Sequence, residues 1–139
     1  MTTMQQKLRG LNNLASDIHT AAKSKGFHNQ PQETGTTLML MVSELSEALE
    51  ADRKGRYTKY ELFHETLGFL ESIRDPQPEV DPFTEAFEDF VKDTHEDEIA
   101  DAFIRLLDYV GKKQINLEWH VAQKMRYNQT REHKHGKAY

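Results

Sequence analysis

The stretch TTLMLMVSELSEALEADRKG, residues 36–55, decides how the chain is read. Leu38, Met41, Val42, Leu45 and Leu49 recur at steps of three and four, the spacing that lines side chains along one face of an α-helix. Gly55 follows where a helix end favours a residue that accepts positive φ. The period predicts a helix from about Thr36 to Lys54, roughly 27 Å long, enough to cross a small bundle. Its inner face is expected to be those five apolar residues. Glu44, Glu47 and Glu50 run along the same helix at a three-residue rhythm, and the first two border the apolar stripe.

The same period recurs on both sides of this helix. Leu8, Leu11, Leu14, Ile18 and Ala22 predict a first helix that stops near Gly26, and Ile99, Ala102, Phe103, Leu106, Leu107 and Val110 predict another from about Thr94 to Lys112. Asn116 suits the cap of a last helix through Leu117, Val121 and Met125, followed by a basic tail expected to lie on the surface. Residues 56–93 differ in character. Thr58 with Glu61 matches a capping box, DPQPEVDP interrupts, and Asp81-Pro82 suits the cap and first position of another short helix. No alternating strand pattern, solenoid repeat or low-complexity run appears. The expected fold is all-α, a four-helix-bundle-like core with a helical insertion at about 56–93 between the second and third core helices, in one domain over residues 1–139.

Composition narrows the chemistry. The chain has 139 residues, 37% of them hydrophobic, which suits a single core. There is no cysteine, so disulfides, thiolate nucleophiles and sulfur-ligated metals are excluded; a metal must use oxygen or imidazole, and a cytoplasmic location is expected. The first residues lack the apolar core of a signal peptide, and no stretch has the roughly eighteen apolar residues that span a bilayer. A net charge of −5 argues against a nucleic-acid polymer as partner, yet charge is divided along the chain. Residues 40–101 hold 18 Asp and Glu against 6 Lys and Arg, whereas KMRYNQTREHKHGKAY, residues 124–139, holds five Lys and Arg and two His against one Glu. Such a division reads either as solvated faces of opposite sign or as one region for a cation and another for a polyanion.

Residues three apart on a helix lie side by side, about 5–6 Å between Cβ atoms, so Glu44 can aim with Glu47 at one point and Glu98 with Asp101 at another. On neighbouring helices the two pairs would form a four-carboxylate cluster. Two like charges at about 4 Å repel by roughly 4 kcal/mol at an effective dielectric of 20, so a cation belongs there. Oxygen ligands favour magnesium, with manganese possible. The competing reading is a wet helix face, since the spacing also occurs at Glu85/Glu88. A di-iron bundle would need Glu-x-x-His pairs; Glu61/His64 and Glu132/His135 have that spacing, but one lies in the insertion and the other near the C-terminus. No Walker loop or G-x-S-x-G is present, and His133 and His135 read as solvated tail residues. Trp119, Phe27, His28 and several Tyr are candidates to stack on a base, although aromatics at helical spacing more often build core. A catalytically silent helical module that binds a partner through the Phe- and Tyr-rich insertion is the further alternative.

SELSEALEADRKG, EDEIADAFIRLLD and KMRYNQTREHKHGK together resemble the all-α nucleoside triphosphate pyrophosphohydrolases of the MazG-like superfamily. That family places E-x-x-E on one helix, E-x-x-D on the next, and a Lys and Asn on a later one. The resemblance covers residues 36–52 and 93–137. It implies hydrolysis of a nucleoside triphosphate to the monophosphate and pyrophosphate, with Glu44, Glu47, Glu98 and Asp101 as catalytic magnesium ligands. Lys124, Asn128 and Arg131 would hold phosphate oxygens, with Arg105 a further candidate. It also implies a homodimer or homotetramer. Two features depart from the pattern: Ser43 stands where many members have a Glu, and fifty residues separate Glu47 from Glu98 where relatives often use a short turn.

Overall fold

Every regular element among the described residues, 4–73 and 80–131 of a computed structural model, is a helix. In chain order they are α1 (Met4–Lys7), α2 (Leu11–Ser24), α3 (Thr34–Arg53), α4 (Tyr60–Ser72), α5 (Pro82–Phe90), α6 (His95–Lys113) and α7 (Leu117–Gln129). The all-α, bundle-like class therefore holds, with α4 and α5 as the expected insertion. The basic tail from residue 132 onward, including Glu132, His133 and His135, lies outside the described residues. Among the described residues no helix is long and apolar enough to cross a membrane. The chain divides into two compact units, Met1–Gln32 with Leu106–Tyr139, and Glu33–Arg105.

In the first unit, Ala15, Leu107 and Val110 are buried and Leu11, Ile18, Ile115 and Leu117 pack against them. The expected first helix is interrupted before Leu11, where Gly10 takes φ 97°, and the Glu118 carboxylate accepts from the amides of Gly10 and Asn12 at 3.0 and 3.1 Å and so caps α2 from α7. Asn12 returns the favour, its Oδ1 accepting from the Glu118 amide at 3.2 Å, while Asn116 accepts from the Trp119 amide as the sequence predicts. At the other end of α2, Gly26 takes φ 82°, which lets Phe27 N donate to Ala22 O and Gly26 N to Lys23 O. Gly111 serves differently: a Cβ there would lie 2.4 Å from the Ala15 carbonyl oxygen and 2.8 Å from His19 Cβ. The missing side chain is what allows α6 to lie directly against α2.

In the second unit α3 buries only Met41 of the five apolar residues expected on its inner face. Met41, Glu44, Ala48 and Ala51 are buried, at helical spacing, whereas Leu38, Val42, Leu45 and Leu49 remain 43–54% exposed. On α6 the expected Ala102, Leu107 and Val110 are buried, but Glu98 is buried as well while Ile99 and Phe103 are 46% and 47% exposed. Each bulky stripe sits one residue, about 100° of helix, away from a line of small and acidic residues that faces inward. Alanine at 48, 51 and 102 lets the backbones approach where a leucine stripe would hold them apart. Two buried carboxylates thus come to lie at the contact of α3 and α6, where His95 Nδ1 donates to the Ala48 carbonyl at 2.9 Å.

The insertion is closed at its base. His95 N donates to Arg56 O at 2.9 Å, Thr58 N to Glu96 Oε2 at 3.0 Å and Lys59 N to Phe90 O at 3.1 Å, and the Thr58 and Thr94 hydroxyls share a 2.8 Å hydrogen bond. Thr58 therefore ties the two ends of the insertion instead of forming the expected capping box with Glu61; α4 begins after Lys59 without a side-chain cap. Asp81 caps α5 through the Thr84 amide with Pro82 next, as expected, and Phe83 joins α5 to Phe63 of α4 edge-on at 6.0 Å.

Gly111→Ala should destabilise the protein by about 1–3 kcal/mol in urea unfolding, the usual cost of overpacking, even though alanine is the better helix former. Unchanged stability would mean that α2 and α6 can separate without cost.

Candidate metal centre

One carboxylate oxygen from each of Glu44, Glu47 and Glu98 lies within 4.8 Å of the others. Glu44 and Glu47 stand one turn apart on α3, and Glu98 comes from the first turns of α6. The fifty residues between Glu47 and Glu98 do not separate them, because the hydrogen bonds at the base of the insertion return the chain to where it left. Glu44 and Glu98 are 8% and 5% exposed, so they are not on a wet helix face, while Glu47 is exposed. An open cleft of about 270 Å³ adjoins them, lined by Glu47, Glu50, Arg56, Asp93 and Glu98.

The electrostatic consequence falls on Glu98. Burial first, and then the charges of Glu47, Asp101, Glu44 and Asp93, push its carboxyl up to about 7. An α-helix N-terminus favours anions. Glu96, Asp97 and Glu98 crowd the first turn of α6, and burial with like charge outweighs that preference at Glu98. Asp101, one turn on, is also raised, by burial and by Asp97 and Glu44, with Arg105 opposing. The neighbouring acids fare differently: Lys54, bonded to Glu50 at 2.8 Å, holds Glu50 below the usual carboxylate range, and the Thr58 amide does the same for Glu96.

Of the four predicted metal ligands, three converge. Asp101 is exposed and outside that group of three; the upward shift of its carboxyl comes first from burial and Asp97, with Glu44 and Glu47 contributing less. Arg105 donates from Nε to Glu44 Oε1, so its present role is to neutralise a buried carboxylate. Lys124, Asn128 and Arg131 belong to the other unit. There they are exposed, and Lys124 and Arg131 both lie over the ring of Tyr127, at 5.2 and 5.9 Å. Glu61 and His64 on α4 are exposed and take part in no metal-type cluster among the described residues. His28 is engaged with Asp108 instead of being free to stack, whereas Phe27 is 74% exposed.

Glu50, Arg56 and Asp93 line the cleft but are absent from the site residues that the sequence points to. Arg56 and Asp93 flank the insertion, and only its closure brings them to the same cleft. The one available signal was their position immediately outside the α3 stop and the α6 start.

The donor set suits a hard divalent ion. Around an octahedral ion with bonds of about 2.1 Å, neighbouring oxygens are about 3.0 Å apart and opposite ones about 4.2 Å, so ligand atoms within 4.8 Å of one another would draw together by about an ångström each to share one ion. Carboxylate oxygens without sulfur or imidazole select magnesium or manganese over softer metals. Comparison of the chain with protein-family models, with curated proteins and with solved structures gave no match.

The raised Glu98 makes a signed prediction. Between its unfolded value of 4.5 and about 7 the folded protein holds a proton that the unfolded chain has released, so stability falls as pH rises across that window. With chelator present, the midpoint of thermal unfolding should drop from pH 5 to pH 8 more steeply in the wild type than in Glu98→Gln. Equal slopes would show that Glu98 titrates normally.

Proposed function

We propose that the chain is a magnesium-dependent nucleoside triphosphate pyrophosphohydrolase of the MazG-like all-α superfamily. The observation that carries this reading is the convergence of Glu44, Glu47 and Glu98 from α3 and α6 beside an open cleft, the same residues that the sequence motifs single out. Glu44, Glu47 and Glu98 hold the cation, and Asp101 completes the set by a side-chain rotation on α6. When bound, magnesium or manganese neutralises triphosphate oxygens and acidifies the attacking water. Glu47, the exposed member, meets substrate and water at the cleft. Arg105, which now donates to Glu44, would be available to a phosphate oxygen with an ion held at that carboxylate. The resemblance assigns phosphate contacts to Lys124, Asn128 and Arg131 and a cytoplasmic location to the protein, and both belong to the proposal. Water attack at phosphorus breaks the α–β anhydride bond, with the water's proton passing to a carboxylate and on to solvent, and pyrophosphate leaves.

The same reading includes a homodimer or homotetramer. The half-exposed stripes Leu38/Val42/Leu45/Leu49 and Ile99/Phe103 support it, since stripes of this size on helices call for a covering surface. Light scattering should give a multiple of the 16.2 kDa chain mass, and Leu45→Lys with Phe103→Lys should lower it. A monomeric wild type would remove that element of the reading.

The activity test is a panel of canonical and modified NTPs and dNTPs with magnesium, read by pyrophosphate release. At least one should be hydrolysed, and Glu47→Gln and Asp101→Asn should each slow it tenfold or more, a cost of at least about 1.4 kcal/mol. No pyrophosphate from any nucleotide, or variants at full rate, would sink the proposal.

A further inference from the structure

A second cluster of ligand-type side chains lies in the other unit, and the proposed hydrolysis does not use it. His19 on α2, His28 in the turn after α2, and Asp108 on α6 each place one ligand atom within 4.8 Å of the other two. His19 Nδ1 is 2.8 Å from Asp108 Oδ1, and His28 Nε2 is 2.9 Å from both Asp108 oxygens. The two rings meet edge-on with centroids 4.7 Å apart. About a fifth of each side chain is accessible, so water and small ions reach the group.

Three features of the backbone hold these residues together independently of any ion. Gly111 brings α6 against α2 at Ala15 and His19, which sets Asp108, one turn earlier on α6, beside His19. Gly26, at φ 82°, turns the chain back after α2 so that His28 faces the same carboxylate. The buried Ala15, Leu107 and Val110 fix the two helices beneath. A site whose ligands are placed by ordinary packing loses little further freedom on binding.

We propose that His19, His28 and Asp108 form a binding site for a borderline divalent metal ion of the zinc type. Two imidazoles and one carboxylate from three places in the fold are the donor set that such ions take, with water as a fourth ligand. Ligand atoms around a tetrahedral ion with bonds of about 2.0 Å stand about 3.3 Å apart, so the observed 2.8–2.9 Å pairs open by roughly half an ångström to admit it. With neutral imidazoles the cluster carries one negative charge, which favours a cation. In the ion-free form each ring directs its proton-bearing nitrogen at Asp108. Binding replaces those two N–H groups, and each ring takes a proton from solvent on its outer nitrogen, so the two inward protons lost are balanced by two gained. The ion then joins residues 19, 28 and 108 and closes the chain between α2 and α6. This site is separate from the carboxylate cluster in residues and in metal preference.

The test uses the full chain freed of metal by chelation. Zn2+ is titrated with ¹⁵N detection of the histidine rings, which reads the tautomer of each, and Co2+ is titrated with visible absorption. One equivalent should shift His19 and His28 together, moving the His19 proton to Nε2 and the His28 proton to Nδ1. Thermal unfolding should rise with Zn2+, by mass action. His28→Gln should weaken tetrahedral Co2+ binding, read from its visible band, tenfold or more, while His64→Gln, at an exposed histidine outside both clusters, should leave it unchanged. Ring signals of wild-type His19 and His28 that do not respond to Zn2+, or a response confined to other histidines, would overturn the proposal whether or not any variant folds.

Discussion

Glu44, Glu47 and Glu98 bring like charges within a few ångströms of one another, two of them out of water, and much of the second unit answers to that constraint. Repulsion of roughly 4 kcal/mol per close pair at an effective dielectric of 20 has to be relieved. The chain relieves it twice over: Glu98 keeps a proton up to about 7, and Arg105 places its guanidinium on Glu44. Both devices are reversible. The proposed cation would take the place of both the proton and the guanidinium. Glu50 and Glu96, equally acidic and on the same helices, have ordinary partners in Lys54 and the Thr58 amide and show the opposite shift.

The geometry that permits the cluster is a matter of small residues and a closed loop. Alanines at 48, 51 and 102 line the inner faces of α3 and α6 and leave the bulky stripes outside. The insertion adds α4 and α5, yet four hydrogen bonds at its base, from Arg56, Thr58 and Lys59 to the segment 90–96, keep the ends of α3 and α6 together. Insertions that leave and return at the same place disturb a site little, and here the returning ends also furnish Arg56 and Asp93 to the cleft.

What could be read from the sequence was local. Gly26, Gly55, Asn116 and Asp81-Pro82 mark helix ends through their own backbone preferences, and the structure places those ends as expected. The three-residue spacing of Glu44 and Glu47 likewise fixes their adjacency whatever the tertiary fold. The inner face was not legible in the same way. On α3 two lines of helical period share Met41, one continuing through leucines and the other through Glu44, Ala48 and Ala51, and hydropathy favours the first although the second is buried. Thr58 was misread because its partners, Thr94 and Glu96, are close only after the insertion closes. The His19, His28 and Asp108 cluster needs three separate segments, so no window of sequence contains it.

Whether the carboxylates of α3 and α6 hold a cation can be read with manganese, without assuming any substrate. Free Mn2+ has a spectrum in electron paramagnetic resonance that disappears on binding, and the titration should be run at pH 7.5 and again at pH 6. The account predicts saturable loss of the free signal in the wild type, tighter at the higher pH because Glu98 must give up its proton, and abolished in Glu44→Gln with Glu98→Gln. A free signal equal to that of buffer at both pH values, or loss unaffected by those substitutions, would contradict it.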